Sequence, residues 1–75
     1  MEDFTHIIGK NVRLYRLKKG LTQVQLSDLC YPMDRCTISR IERFVPINIT
    51  IGTLGKIAEA LEVDIKVLLT EKPTI

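Results

Sequence analysis

Seventy-five residues leave room for one domain and not two. A chain this short buries a marginal core, which favours a helical bundle or an obligate dimer over an elaborate sheet, and a 45% hydrophobic share leaves apolar surface for use between subunits. The formal charge of +2 conceals an uneven spread: Lys10 to Arg43 holds eight basic residues (Lys10, Arg13, Arg16, Lys18, Lys19, Arg35, Arg40, Arg43) against three acidic ones (Asp28, Asp34, Glu42), whereas residues 44–75 hold three against four. A basic first half with a near-neutral second half fits a nucleic-acid face with an association face behind it, although on charge alone an ordinary solvated surface fits as well. The N-terminal stretch MEDFTHIIG has no basic leader or long apolar core, so no signal peptide is expected. Nor does any apolar run reach membrane-spanning length, and the expected location is the bacterial cytoplasm with no membrane partner. Cys30 and Cys36 form neither a metal-binding signature nor a secreted disulfide framework, so the expectation is buried or half-buried thiols with no metal and no cofactor.

Taken in order, Ile8, Val12 and Tyr15 recur at steps of four and three and predict a helix from about 5 to 19, broadened by Ile7 and ended at Gly20. Lys18 and Lys19 sit near its negative pole. Leu14 and Leu17 fall off the stripe and are read as surface leucines. Thr22-Gln23-Val24-Gln25 is a capping box opening a second helix (about 22–30) that is expected to bury Leu21, Leu26, Leu29 and Cys30, with Ser27 small enough for a crossing helix. Tyr31-Pro32 forbids continuation. Asp34 caps a third helix (about 34–44), with Met33 and Ile38 spaced as a hydrophobic staple. An apolar loop, Phe44 to Ile49, follows. Thr50 caps a fourth helix (about 50–62) whose buried stripe is Leu54, Ile57, Ala58 and Leu61. Asp64 begins a last short helix (about 64–69), and residues 70–75 are expected to fray. The sum is five helices and no strands.

Ile38 and Ile41 face inward on the third helix, which turns Arg35, Cys36, Thr37, Ser39 and Arg40 outward. A plain solvated helix favours Glu, Lys and Gln; arginine and small polar groups suit base edges and phosphates, because arginine meets guanine with two hydrogen bonds and threonine can meet a thymine methyl. Residues 21–44 therefore read as a helix-turn-helix whose second helix enters a DNA groove. Enzymatic chemistry is not expected. His6 is the only histidine, neither cysteine has a histidine at a suggestive spacing, and no phosphate loop or carboxylate pair is present.

The set Ile8-Gly9, Val12-Arg13, Arg16, Gly20-Leu21-Thr22-Gln23, Leu26, Thr37-Ile38-Ser39-Arg40-Ile41-Glu42-Arg43, Leu54, Ile57-Ala58 and Ala60-Leu61 resembles the Cro/C1-type helix-turn-helix repressors, the XRE family. The resemblance covers roughly residues 7–69. It implies an all-α, lambda-repressor-like five-helix domain that binds double-stranded operator DNA as a homodimer, with no small-molecule ligand. Carried over position by position, it implies base contacts from Arg35, Cys36, Thr37 and Arg40, and phosphate contacts from Gln23, Ser39 and Arg43. Gln23 would also brace the recognition helix. It further implies an ion pair between Arg16 and Glu42 joining the first helix to the third; a partly buried Glu42 needs such a partner.

Two departures stand out. The turn Cys30-Tyr31-Pro32-Met33 is one residue longer than the usual form and lacks its glycine, and Phe44-Val45-Pro46-Ile47 replaces the usual Gly and basic residues after the recognition helix. Val45, Ile47, Ile65 and Leu69 are the candidates for a dimer interface. The Asp34-Arg35 start and the lone-domain length resemble the small controller proteins of restriction–modification systems, where the dimer is an autoregulating activator and repressor. Activation would add RNA polymerase as a partner. Phage Cro-like repressors and toxin–antitoxin repressors have similar cores, and an antitoxin or other protein-binding module is the competing reading.

Overall fold

A computed structural model describes residues 4–31, 33–45 and 49–70 and, within them, five helices and no strand. The helices are α1 (Phe4–Lys18), α2 (Gln23–Leu29), α3 (Arg35–Glu42), α4 (Ile51–Leu61) and α5 (Ile65–Leu68), each within two residues of its expected limits. Pro32, the loop residues Pro46 and Ile47, and the tail from 71 onward lie outside the described residues.

Local chemistry explains the starts. The Thr22 Oγ1 accepts from the Gln25 amide at 3.0 Å while Gln25 Oε1 accepts from the Thr22 amide at 2.8 Å, a complete capping box. Asp34 accepts from the Thr37 amide at 3.0 Å, Thr50 from Thr53 at 3.1 Å and Asp64 from Lys66 at 2.9 Å. The ends share a different device. After α1, α3 and α4 the chain turns through a left-handed residue, Gly20 (φ 72°), Phe44 (φ 62°) and Glu62 (φ 58°) respectively. The amide beyond each returns to a carbonyl of the last helical turn: Leu21 to Arg16 at 3.1 Å, Val45 to Arg40 at 3.0 Å and Val63 to Ala58 at 2.9 Å. Only the first of these turns uses glycine.

The core gathers Ile8 and Val12 from α1, Leu26 from α2 with Cys30 after it, Ile38 and Ile41 from α3, Leu54, Ile57, Ala58 and Leu61 from α4, and Leu68 from α5. Removing any of its large aliphatic side chains to alanine should cost about 2–5 kcal/mol. Helix α1 is the common wall, packing on α3, α4 and α5, while α2 packs on α3 and α4. Two sequence expectations fail. Leu29 is 59% exposed. At 100° per residue, the inward face of α2 is centred among Leu26, Ser27 and Cys30, which puts Leu29 about a quarter-turn round the helix. Thr70, assigned to the loose tail, is anchored instead: its hydroxyl donates to the Lys66 carbonyl at 2.8 Å and its own carbonyl accepts from Asn11 at 2.8 Å.

At Gly9, α1 passes close against the end of α3. A Cβ added at Gly9 would stand 2.1 Å from the Ile41 carbonyl oxygen and 2.8 Å from the Phe44 ring. That ring, in turn, stacks on His6 with centroids 4.0 Å apart. Phe44 thus accepts a backbone conformation disfavoured for L-residues by about 1–2 kcal/mol and covers the glycine contact in return. Gly9→Ala is expected to lose about 3 kcal/mol, the upper end of the range for overpacking, because the obstacle is backbone rather than a flexible side chain. Urea unfolding should show the midpoint falling with the m-value unchanged.

Candidate nucleic-acid interface

Helix α3 buries Ile38, Ile41 and Glu42 on one side. The helical period then sets Arg35, Cys36, Ser39, Arg40 and Arg43 on the other, where they line one open groove. The facing wall comes from the end of α1 and the start of α2, Leu17 and Gly20 to Val24. Arg35, Cys36, Arg40 and Arg43 are exposed and Ser39 is half-buried. Among the described residues no acidic side chain lines this groove, so three exposed guanidinium groups set its sign. Thr37 does not join them. It lines a neighbouring groove with Met33, Thr50, Gly52, Thr53 and Lys56, and its hydroxyl lies 3.3 Å from Asp34 Oδ1.

At the inner side of the groove, which Arg16 and Gln23 both line, lies a buried ionic cluster. Arg16 donates from Nε to Glu42 Oε2 at 2.6 Å and from Nη2 to Oε1 at 2.9 Å, a bidentate pair with side chains 8% and 2% exposed. The third guanidinium nitrogen, Nη1, donates to the Leu21 carbonyl at 2.7 Å, and Gln23 Nε2 donates to Glu42 Oε1 at 3.2 Å. One carboxylate therefore holds α1, the α1–α2 turn, the first residue of α2 and the last residue of α3 in a fixed relation. Every buried side-chain polar atom among the described residues has a partner. Of the two roles implied for Gln23, the amide makes the bracing bond to Glu42 and keeps a second N–H beyond it.

The two thiols differ. Cys30 is buried, contacts the Lys56 carbonyl at 3.7 Å, and burial pushes its pKa up against a smaller opposing effect from the Lys56 charge. Cys36 is exposed in the arginine-lined groove. Of the dimer candidates, Val45 and Ile65 are half-buried, Ile65 packing on the core, while Leu69 is exposed; Ile47 is outside the described residues. Sequence reasoning passed over Asn11, which is 1% exposed and donates to three backbone carbonyls at residues 67–70. Its signal was a polar residue inside the apolar stripe of α1, but the partners lie 56 to 59 positions away.

Two outcomes follow from this geometry. Arg16→Ala leaves Glu42 buried without its bidentate partner and is expected to cost about 3–5 kcal/mol; Arg16→Lys recovers only part, since an ammonium cannot make two parallel bonds and also reach Leu21. Chemical denaturation of both variants measures it. Under native conditions a maleimide should modify Cys36 and spare Cys30, as read by peptide mass spectrometry.

The chain is similar to several known proteins. A helix-turn-helix family model matches residues 12–68. The chain is 36% identical over 70 residues to the control protein C.SmaI of Serratia marcescens, covering 93% of this chain and 81% of that protein. It is also 36% identical over 62 residues to a hypothetical transcription factor of Neisseria meningitidis serogroup B, covering 83% of this chain but only 57% of that longer protein. The crystal structure of the hypothetical transcription factor NHTF from Neisseria superposes with a TM-score of 0.84 at 35% identity, over 91% of this chain and 76% of that one. With α2 and α3 set as a helix-turn-helix and the arginine face of α3 turned outward, the chain belongs to the XRE-type helix-turn-helix family of DNA-binding transcription regulators.

Proposed function

We propose that this chain acts as a homodimer on a palindromic operator, with one α3 in each of two successive major grooves, and that it is an autoregulatory controller of the restriction–modification type. The observation that carries the DNA reading is the single groove shared by Arg35, Cys36, Ser39, Arg40 and Arg43 on the outer face of a rigidly held helix. What supports the narrower class is the likeness to the control protein of Serratia marcescens together with the Asp34-Arg35 start of α3. Arg35, Cys36 and Arg40 are assigned to base edges, and Ser39 and Arg43 to phosphates. Thr37 stands on the flank of that set, and Gln23 acts chiefly through Glu42. Two recognition helices about 34 Å apart would read the two half-sites of one palindrome. Val45, Ile65 and Leu69 are assigned to the contact between protomers. RNA polymerase is a further partner on the activating branch, and the site of action is the cytoplasm.

A second reading has its own observation. Tyr31 is 83% exposed and shares a second groove with exposed Leu29 and with Lys56, Glu59 and Glu62. An apolar patch in that place would serve an antitoxin or other protein-binding module, which co-purification of a partner without any affinity for DNA would favour.

Selection of bound sequences from random DNA tests the first reading, since it returns both the half-site and its spacing. On the selected operator, Arg35→Ala should cost about 1–3 kcal/mol and relax the sequence preference at one position, with a far smaller effect on random duplex. Arg43→Ala should weaken binding to all duplexes alike and reduce the salt slope by about 1. Equal losses on operator and random DNA for Arg35→Ala would remove it from the base readers. An empty selection at low salt would remove the DNA reading altogether.

A further inference from the structure

Helix α5 is four residues long, too short to hold its own shape. Two things fix it. Leu68, fully buried, plugs it into the core. Asn11, on the buried face of α1, donates from Nδ2 to the carbonyls of Val67, Leu68 and Thr70 at 3.2, 2.9 and 2.8 Å. These carbonyls lie at and just beyond the end of α5, where Val67 also accepts from the Thr70 amide at 3.3 Å, and the two N–H groups of one amide are shared among them. The two anchors differ in kind. Apolar packing, by Leu68 and by Ile65 beside it, is non-directional and leaves the angle of a single helical turn loosely defined. Hydrogen bonds are directional, and three of them converging on one nitrogen fix that angle.

Ile65 and Leu69 stand one turn apart at the two ends of this element, Leu69 exposed and Ile65 half-buried. Resting on the homodimer reading, we propose that Asn11 is a positioning residue for the dimer: by fixing the angle of α5 on α1, it sets the angle between protomers and thus the half-site spacing the pair accepts. Asn11 makes no DNA contact in this scheme. The helix it belongs to is joined to α3 elsewhere, through Gly9 and through Arg16–Glu42. Loosening α5 therefore leaves the recognition helix where it was.

Asn11→Asp tests this, because it keeps the shape, removes both donors and turns a carboxylate toward three carbonyl oxygens. Asn11→Ala serves alongside it as the milder variant if the first fails to fold. Sedimentation should show dimer dissociation strengthened by about tenfold or more, while affinity for a duplex carrying one selected half-site stays within about threefold of the parent. Amide exchange should rise in residues 65–70 and not in α3. The decisive readout is spacing. Adding or removing one base pair between half-sites should cost the parent about tenfold, whereas Asn11→Asp re-dimerised through a C-terminal leucine zipper should bind the altered spacings within about threefold of the original.

A fall in half-site affinity in step with dimer affinity would make Asn11 a general structural residue and overturn the proposal. So would an unchanged dimer constant, or unchanged spacing preference in the zipper fusion. If the parent chain itself sediments as a monomer with and without operator, the homodimer reading falls, and that result is distinguishable from the others because it needs no variant.

Discussion

Glu42 is the residue around which the DNA-facing half of the molecule is arranged. A carboxylate taken out of water is costly unless it is paired and hydrogen-bonded, and here it accepts two parallel bonds from Arg16 and a third from Gln23. Each of those donors belongs to a different element, so the bonds that satisfy the charge also define where the elements sit. A hydrophobic pair of the same volume could match the cluster in stability, but it would not dictate orientation. Orientation is what a recognition helix needs, because a base contact is lost by a displacement that a hydrophobic core would tolerate.

The rest of the fold extends the same constraint outward from α1. That helix meets the end of α3 at two places along its own length, the Gly9 contact with Ile41 and the Arg16 pair with Glu42, which fix where that end sits. It meets α5 through Asn11. It also meets the end of α4 at the surface, where Lys19 bonds Glu62 and holds that carboxyl below its ordinary range, chiefly by the hydrogen bond and then by charge. Salt screens an exposed pair of that kind, and it contributes little to stability. Its place is nonetheless informative: the left-handed conformation of Glu62 turns the chain out of α4 at the point where the lysine waits.

What could be read from the chain beforehand divides along a physical line. Helix starts were legible because a cap is local: Thr22 with Gln25, Asp34 with Thr37, Thr50 with Thr53 all lie three residues apart. The buried faces of α3 and α4 were legible from periodicity for the same reason. Leu29 was misplaced because hydrophobicity was allowed to stand for direction in a helix of only seven residues, where one quarter-turn decides between core and solvent. Asn11 escaped notice because its partners are carbonyls, which carry no side-chain identity and so leave no mark in a sequence. Phe44 was flagged as a departure from the usual glycine, but its reason lies across the molecule in Gly9 and His6. The arginine face of α3 was legible by subtraction, as what remained once Ile38 and Ile41 turned inward; that Thr37 lines the neighbouring groove needed three dimensions.

The apolar replacement after α3 bears on where affinity can come from. With Phe44 drawn back over Gly9 and Val45 half-buried, the chain just beyond the recognition helix offers no cation, and the groove itself offers Arg35, Arg40 and Arg43. Log affinity changes with log salt by about 0.9 for each phosphate neutralised, so a few arginines on one copy give weak binding at physiological ionic strength. On the homodimer reading, the second copy doubles that number and converts its own binding into an intramolecular step. On that reading, a groove with only three exposed arginines per copy puts the weight on how the two copies are set against each other. On the proposals above, that setting would come from the directional bonds between Asn11 and α5 and from the ionic cluster that orients α3, rather than from additional charge.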